Sequence, residues 1–202
     1  MRALVTGFEA FGGDTVNASL AALQKLPTHV SGVAITTLEL PTSFARAPAV
    51  LAAAITQYQP DIVLCTGEAG ERNALCIERV ATNLCDARIA DNDGAQPQAV
   101  KINAKGPAAC FSTLPVNAIL AALREAGLPA EISTDAGKYV CNHVFYTLMN
   151  LAAAQAHRWR AGFLHVPHAY DAAARPQAKM KLDDIVRGIC VAVAAAAGAQ
   201  QS

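Results

Sequence analysis

The stretch Ile62-Val63-Leu64-Cys65-Thr66-Gly67-Glu68-Ala69-Gly70 decides the fold. It opens as a short run of branched apolar residues and leaves through two glycines, the pattern of a buried strand that ends in a turn. Working outward, Leu4 to Thr6, Val33 to Leu38 and Phe163 to Val166 repeat the run, and helical patterns lie between several of them. That alternation predicts an α/β fold. The clearest helix is C-terminal, where Leu182, Ile185, Val186, Ile189 and Val193 make one apolar stripe with Asp183, Asp184 and Arg187 elsewhere. A second helix is predicted from about Leu114 to Ala126, with Pro115 in its first turn and Gly127 as its stop. A third runs from Phe44 to Tyr58 and closes before Pro60, with Pro48 leaving its start open by a turn. Between Leu75 and Ile89 the helical pattern fails. Val80, Asn83, Leu84, Ala87 and Ile89 there suggest strands, read as an antiparallel hairpin added to the main sheet. Asp91 to Gln98 is a polar loop of turn residues, long enough to be functional.

The chain has 202 residues and suits one domain over 1–202, with no linker composition and no internal repeat. Charged residues make up 16% and hydrophobic ones 53%, so apolar surface remains after the core is filled and a homo-oligomer is the expected remedy. Lys and Arg balance Asp and Glu at 16 each with no basic stripe, which excludes the electrostatic footprint of a nucleic-acid or anionic-membrane binder. Glu9 interrupts anything like a signal-peptide core. The longest smooth apolar stretch, Gly188 to Gly198, is about half the ~20 residues that span a bilayer. The cysteines at 65, 76, 85, 110, 141 and 190 contain no C-x-x-C pair, so they read as reduced thiols in a cytoplasm rather than a zinc site or disulfide framework.

In open α/β sheets, ligands bind beyond the carboxyl ends of the strands. Three segments leave strands there: Thr6 to Gly13, Gly67 to Gly70, and His165-Val166-Pro167. The first is not a dinucleotide fingerprint, and its Phe8 and Phe11 read either as walls for a flat uncharged group or as core residues beside a turn. A nucleophile candidate lies in Ala136-Gly137-Lys138-Tyr139-Val140-Cys141, where a small-residue turn and an aromatic deliver one thiol to the start of an apolar helix. Free N–H groups in a first helical turn favour thiolate; the alternative is a small buried hydrophobe.

Five histidines compete as its base. His143 is two residues away and points to another face, while His29 and His157 sit at helix or loop edges. His165, at a strand end and held by Pro167, is placed as a base would be, and His168 lies past the proline and is freer. His165-x-x-His168 lacks a third metal ligand of recognisable spacing. Glu78 is a carboxylate in an apolar stretch and needs a partner, either the imidazole or Arg79 or Arg88.

The chain then resembles a family. Thr6-Gly7-Phe8-x-x-Phe11-Gly12-Gly13, Glu78-Arg79-Val80-Ala81-x-Asn83, Asp86-Ala87-Arg88-Ile89-x-Asp91-Asn92, Gly106-Pro107-Ala108-Ala109, Ser112-Thr113-Leu114-Pro115, Ala136-Gly137-x-Tyr139-Val140-Cys141-Asn142-His143 and His165-Val166-Pro167 resemble, in family order, pyroglutamyl peptidase I, also called pyrrolidone-carboxylate peptidase. The resemblance implies a three-layer α/β/α sandwich with a mostly parallel sheet, a cytoplasmic and commonly tetrameric cysteine peptidase, and removal of N-terminal pyroglutamyl residues from peptides without a cofactor or metal. It makes Cys141 the nucleophile, His165 the base and then the acid, and Glu78 the orienting carboxylate. Phe8 and Phe11 would enclose the lactam ring, and Arg88 would help the Cys141 N–H stabilise the oxyanion.

Three departures stand out. Many members read Gly-Gln-Ala-Gly-Gly-Arg where this chain has Gly67-Glu68-Ala69-Gly70-Glu71-Arg72, Leu75-Cys76-Ile77 lacks the usual Ser/Thr-Pro pair, and His168-Ala169-Tyr170 is atypical. Glu68 is expected beside the lactam, where a carboxylate either ionises against a desolvation cost or holds a proton it can donate to the lactam oxygen. A catalytically weak or altered-specificity binding protein on the same scaffold is the competing reading, motivated by Glu68 and Glu71. A nucleoside phosphorylase-like enzyme is disfavoured, because no phosphate-binding glycine loop or basic cluster is evident.

Overall fold

In a computed structural model that describes residues 1–156, 158–170 and 179–199, strand alternation divides the apolar residues between two faces of one sheet. Strands β1 (Arg2–Phe8), β4 (Ile62–Glu68) and β9 (Arg160–Val166) form its centre. Ala3, Val5, Ile62, Leu64, Leu164 and Val166 point into one core, and Leu4, Val63, Cys65, Ala161 and Phe163 into the other. All seven residues of β4 are buried, as a strand covered on both faces must be.

Helices α1 (Ala18–Leu23), α3 (Val116–Glu125) and α5 (Leu182–Gly198) cover the first face, and α2 (Arg46–Tyr58) and α4 (Val140–Ala154) the second. The result is the three-layer α/β/α arrangement. No side chain caps the start of α5, which is held instead by its buried stripe of Leu182, Ile185, Ile189 and Val193. Burial is worth about 1.5–3 kcal/mol for each such side chain, more than a typical cap.

The remaining strands are β2 (His29–Val30), β3 (Val33–Leu40), β5 (Leu75–Glu78) and β8 (Ala130–Ser133), in the order β2-β3-β1-β4-β9-β5-β8. The run β3-β1-β4-β9 is parallel, β5 lies antiparallel to β9, and β8 is parallel to β5. From β1 the chain crosses to β3 on one side and β4 on the other, so the C-terminal ends of β1 and β4 flank the crevice where such sheets bind ligands.

Several boundaries differ from the sequence expectation. Of residues 75–89 only β5 joins the main sheet, antiparallel to β9; β6 (Val80–Thr82) pairs with the distant β7 (Ala109–Phe111) in a separate two-stranded sheet, and residues 83–89 form no strand. Loop 83–108 therefore intervenes where an antiparallel hairpin is expected. Pro115 is the N-cap of α3 rather than a first-turn residue. α2 begins at Arg46, which places Pro48 in the first turn, where its missing N–H leaves no helical bond unmade. Gly127, at φ +73°, ends α3 as a glycine can without strain. No helix among the described residues is long and apolar enough to cross a membrane. His157 lies outside the described residues.

Candidate active site

Gly67, the next-to-last residue of β4, is where the site converges. It pairs in register with His165 of β9, and strand alternation turns both toward the α4 face. A Cβ built on Gly67 would lie 2.8 Å from Cys141 Sγ and 2.9 Å from Phe163 Cζ, so the thiol rests on the bare backbone of this glycine. The ring of Phe163 stands 4.7 Å from that of His165, two residues along the same strand face. Glu78 lies opposite Phe163 on antiparallel β5, two residue pairs along from His165. Its Oε1 accepts a hydrogen bond from His165 Nδ1 at 2.8 Å.

This couple is buried: the side chains of His165 and Glu78 are 6% and 0% exposed. Glu78 Oε2 has no hydrogen-bond partner among the described residues, so the carboxylate's polarity is directed at the imidazole alone. An ionised carboxylate only accepts, so Nδ1 carries the proton and Nε2 is left as the acceptor.

Cys141 is the second residue of α4, whose N-cap, Tyr139, makes no side-chain cap bond. The first helical hydrogen bond runs from His143 N–H to Tyr139 O, so the Cys141 N–H belongs to the free first turn. Asn142, fully buried beside it, accepts from Thr82 N–H at 2.9 Å and donates to Thr82 O and Leu84 O at 2.9 and 3.0 Å. Those bonds pin the helix start to the segment after Glu78.

Burial, then the neighbouring Glu78, Cys65 and Glu68, push the Cys141 thiol up to about 12, against the backbone N–H of Cys141 itself, which pulls down. The thiolate-favouring effect expected of the helix start is therefore overridden by desolvation. The resting group is a thiol, and a base must take its proton as it reacts.

Phe8 is 2% exposed and packs on Phe163 at 6.4 Å, behind the thiol in the core. Phe11 is half-buried, its ring 5.7 Å from Tyr139, and Tyr139 in turn packs edge-on against Phe44. Arg88 does not enter the buried cluster. Its side chain is 89% exposed and its guanidinium lies 3.9 Å from Glu71, because loop 83–108 carries it to the rim.

Glu68 is also displaced from its expected place. Alternation sends it to the face opposite Cys141, where Oε2 accepts from Ala18 N–H at 2.8 Å and Oε1 pairs with His168 Nδ1 at 3.0 Å. It is neither poised at a neutral ring nor solitary, and His168 is not free. Among the described residues no group of three or more His, Cys, Asp and Glu is arranged to hold a metal ion.

A family model described as pyroglutamyl peptidase matches residues 1–199. The chain belongs to the pyroglutamyl peptidase family. It is 47% identical over 195 residues to a pyrrolidone-carboxylate peptidase of Streptococcus pyogenes serotype M5, covering 96% of this chain and 91% of the relative. Among solved structures it is similar to pyroglutamyl peptidase I of Bacillus amyloliquefaciens, with TM-score 0.93, 39% identity and coverage of 98% of this chain and 97% of that one. The pyrrolidone carboxyl peptidase of Thermococcus litoralis matches with TM-score 0.93 at 34% identity, covering 97% of this chain and 93% of that one.

Sequence reasoning assigned no role to Gly67 or Asn142. A buried amide in the first turn of an apolar helix is a readable signal for Asn142. For Gly67 no local signal exists, because its neighbours come from α4 and β9. Gly67→Ala is expected to lower kcat/KM about 100-fold, since a displacement of about 1 Å at a reacting atom can have that effect, while overpacking lowers stability by only about 1–3 kcal/mol. Steady-state kinetics beside thermal unfolding checks this; normal turnover in the folded variant would show that the thiol does not need this seat.

Proposed function

We propose that the chain is a cysteine omega peptidase that hydrolyses the N-terminal pyroglutamyl residue from peptides, with Cys141, His165 and Glu78 as its catalytic residues. The buried Glu78–His165 hydrogen bond at 2.8 Å, beside a thiol seated on Gly67, is the observation that carries this reading.

The chemistry follows from the protonation states. His165 Nε2 takes the thiol proton as Sγ attacks the pyroglutamyl carbonyl carbon, and Glu78 stabilises the imidazolium. The oxyanion develops at the first turn of α4, where the Cys141 N–H and the positive helix end receive it. His165 returns its proton to the departing amine, leaving a thioester. It then takes a proton from water, whose oxygen attacks the thioester and releases pyroglutamate and the thiol.

A pyroglutamyl end carries a neutral lactam rather than an ammonium, and aromatic surface suits it. Phe11, backed by Tyr139 and, behind it, Phe44, supplies that surface, while Phe8 lies buried against Phe163. Arg88 serves at the rim once it leaves Glu71. We further read residues 1–202 as one domain, supported by both cores packing on one sheet, and the protein as a cytoplasmic homotetramer that needs no cofactor.

Release of a fluorescent amine from its pyroglutamyl amide tests the reading. Turnover is expected, unchanged by a chelator and abolished by iodoacetamide. With the thiol pushed up to about 12, the rate of alkylation should rise about tenfold per pH unit from roughly pH 6 to 9. A plateau below neutrality would reveal a resting thiolate instead. Turnover insensitive to alkylation would refute the cysteine mechanism.

A further inference from the structure

Glu68 and His168 come from separate segments that both depart from the family pattern, and the structure brings them together as one buried carboxylate–imidazole pair. The Glu68 side chain is 2% exposed and that of His168 17%. A carboxylate so buried needs compensation, and His168 Nδ1 at 3.0 Å supplies part of it. The rest comes from Ala18 N–H, at the first residue of α1, 2.8 Å from Oε2.

From there the contacts lead to the aromatic loop. Asn17, the N-cap of α1, accepts from Ser19 N–H and Ser19 Oγ at 3.0 and 2.7 Å and donates to Glu9 O at 3.2 Å. Ser19 Oγ accepts from Phe8 N–H at 3.0 Å. Gly7 lies so close that a Cβ on it would be 2.9 Å from the Ser19 carbonyl. The start of α1 is thus the bed on which the backbone of residues 7–9 rests. On the other side, the His168 ring packs on Gly70, where a Cβ would be 1.9 Å from Nε2, and His168 follows His165 by three residues.

We propose that Glu68 and His168 are a positioning couple for acyl-group recognition, coupling the segment that carries His165 to the Phe8–Phe11 loop through the start of α1. The inference rests on reading that loop as the binding surface for the pyroglutamyl group. Neither residue touches substrate or the reacting atoms, so their loss should act on binding and not on the chemical step. Two positions that act through one hydrogen-bonded chain should also be non-additive.

The test is steady-state hydrolysis of a pyroglutamyl amide by the full chain and by Glu68→Ala, His168→Ala, the double variant and Glu68→Gln. KM should rise about fivefold or more in Glu68→Ala and about threefold in His168→Ala, with kcat within about twofold. The double variant should be no worse than Glu68→Ala. Glu68→Gln should restore KM to within about twofold, because its amide can accept from Ala18 N–H and donate to a neutral imidazole. An unchanged KM in the folded variants, a loss confined to kcat, or KM effects that add would overturn the couple. If Glu68→Ala does not fold, His168→Ala carries the test. If the unmodified chain shows no turnover, the peptidase reading fails separately, and the Kd of the same amide in each variant decides the couple.

Discussion

Cys141→Ser removes nearly all hydrolysis of a pyroglutamyl amide, with kcat/KM falling at least about 1,000-fold. A serine hydroxyl loses its proton far less readily than a thiol, and His165 is not a strong enough base to compensate. The other five cysteines provide the control. Cys65, Cys76 and Cys85 are buried, and burial pushes their thiols up to about 12, about 12 and about 11. They are inert small hydrophobes in the core or at its edge. Their serine variants should lower the unfolding temperature and leave kcat/KM of the folded protein within about threefold. Kinetics normalised to active-site titration, run beside thermal unfolding, separates the two behaviours. Substantial turnover by Cys141→Ser, or a folded but inactive Cys65→Ser, would move the nucleophile.

His165→Ala is expected to lower kcat/KM about 1,000-fold, within the range that general acid–base catalysis supplies. Glu78→Gln should lower it about 100-fold, and for a specific reason. If the new amide donates to Nδ1, the imidazole must carry its proton on Nε2, where it cannot accept from the thiol. If its oxygen faces Nδ1 instead, the NH2 occupies the place of Oε2, which has no partner among the described residues, and a buried donor is left unsatisfied. The Glu78→Gln/His165→Ala double variant should resemble His165→Ala alone, because Glu78 acts only through the imidazole. A folded His165→Ala variant with near-normal kcat beside an inactive His168→Ala would show that the base is His168 and not His165.

Much of the fold is legible in the sequence because its signals are local. The short apolar runs around Leu4, Val33, Ile62 and Phe163 each coincide with a strand of the main sheet, and the stripe from Leu182 to Val193 lies on a buried helix face. The hairpin expected between Leu75 and Ile89 fails because Val80–Thr82 finds its partner at Ala109–Phe111, beyond a loop that no local pattern announces. The motifs around Glu78, Cys141 and His165 are likewise readable, and their spacing along the chain says nothing about contact. Glu78 and His165 are 87 positions apart and meet only because β5 pairs with β9.

The sequence by itself determined the α/β class, the family and the identity of the chemically capable side chains, since periodicity and motif are properties of consecutive residues. Which of those side chains meet was decided by the tertiary structure alone. A one-residue step along β4 reverses the face, so Gly67 underlies the thiol while Glu68 turns away to His168 and α1. Desolvation, which overrides the helix-start effect on Cys141, likewise depends on what the rest of the chain packs around the sulfur.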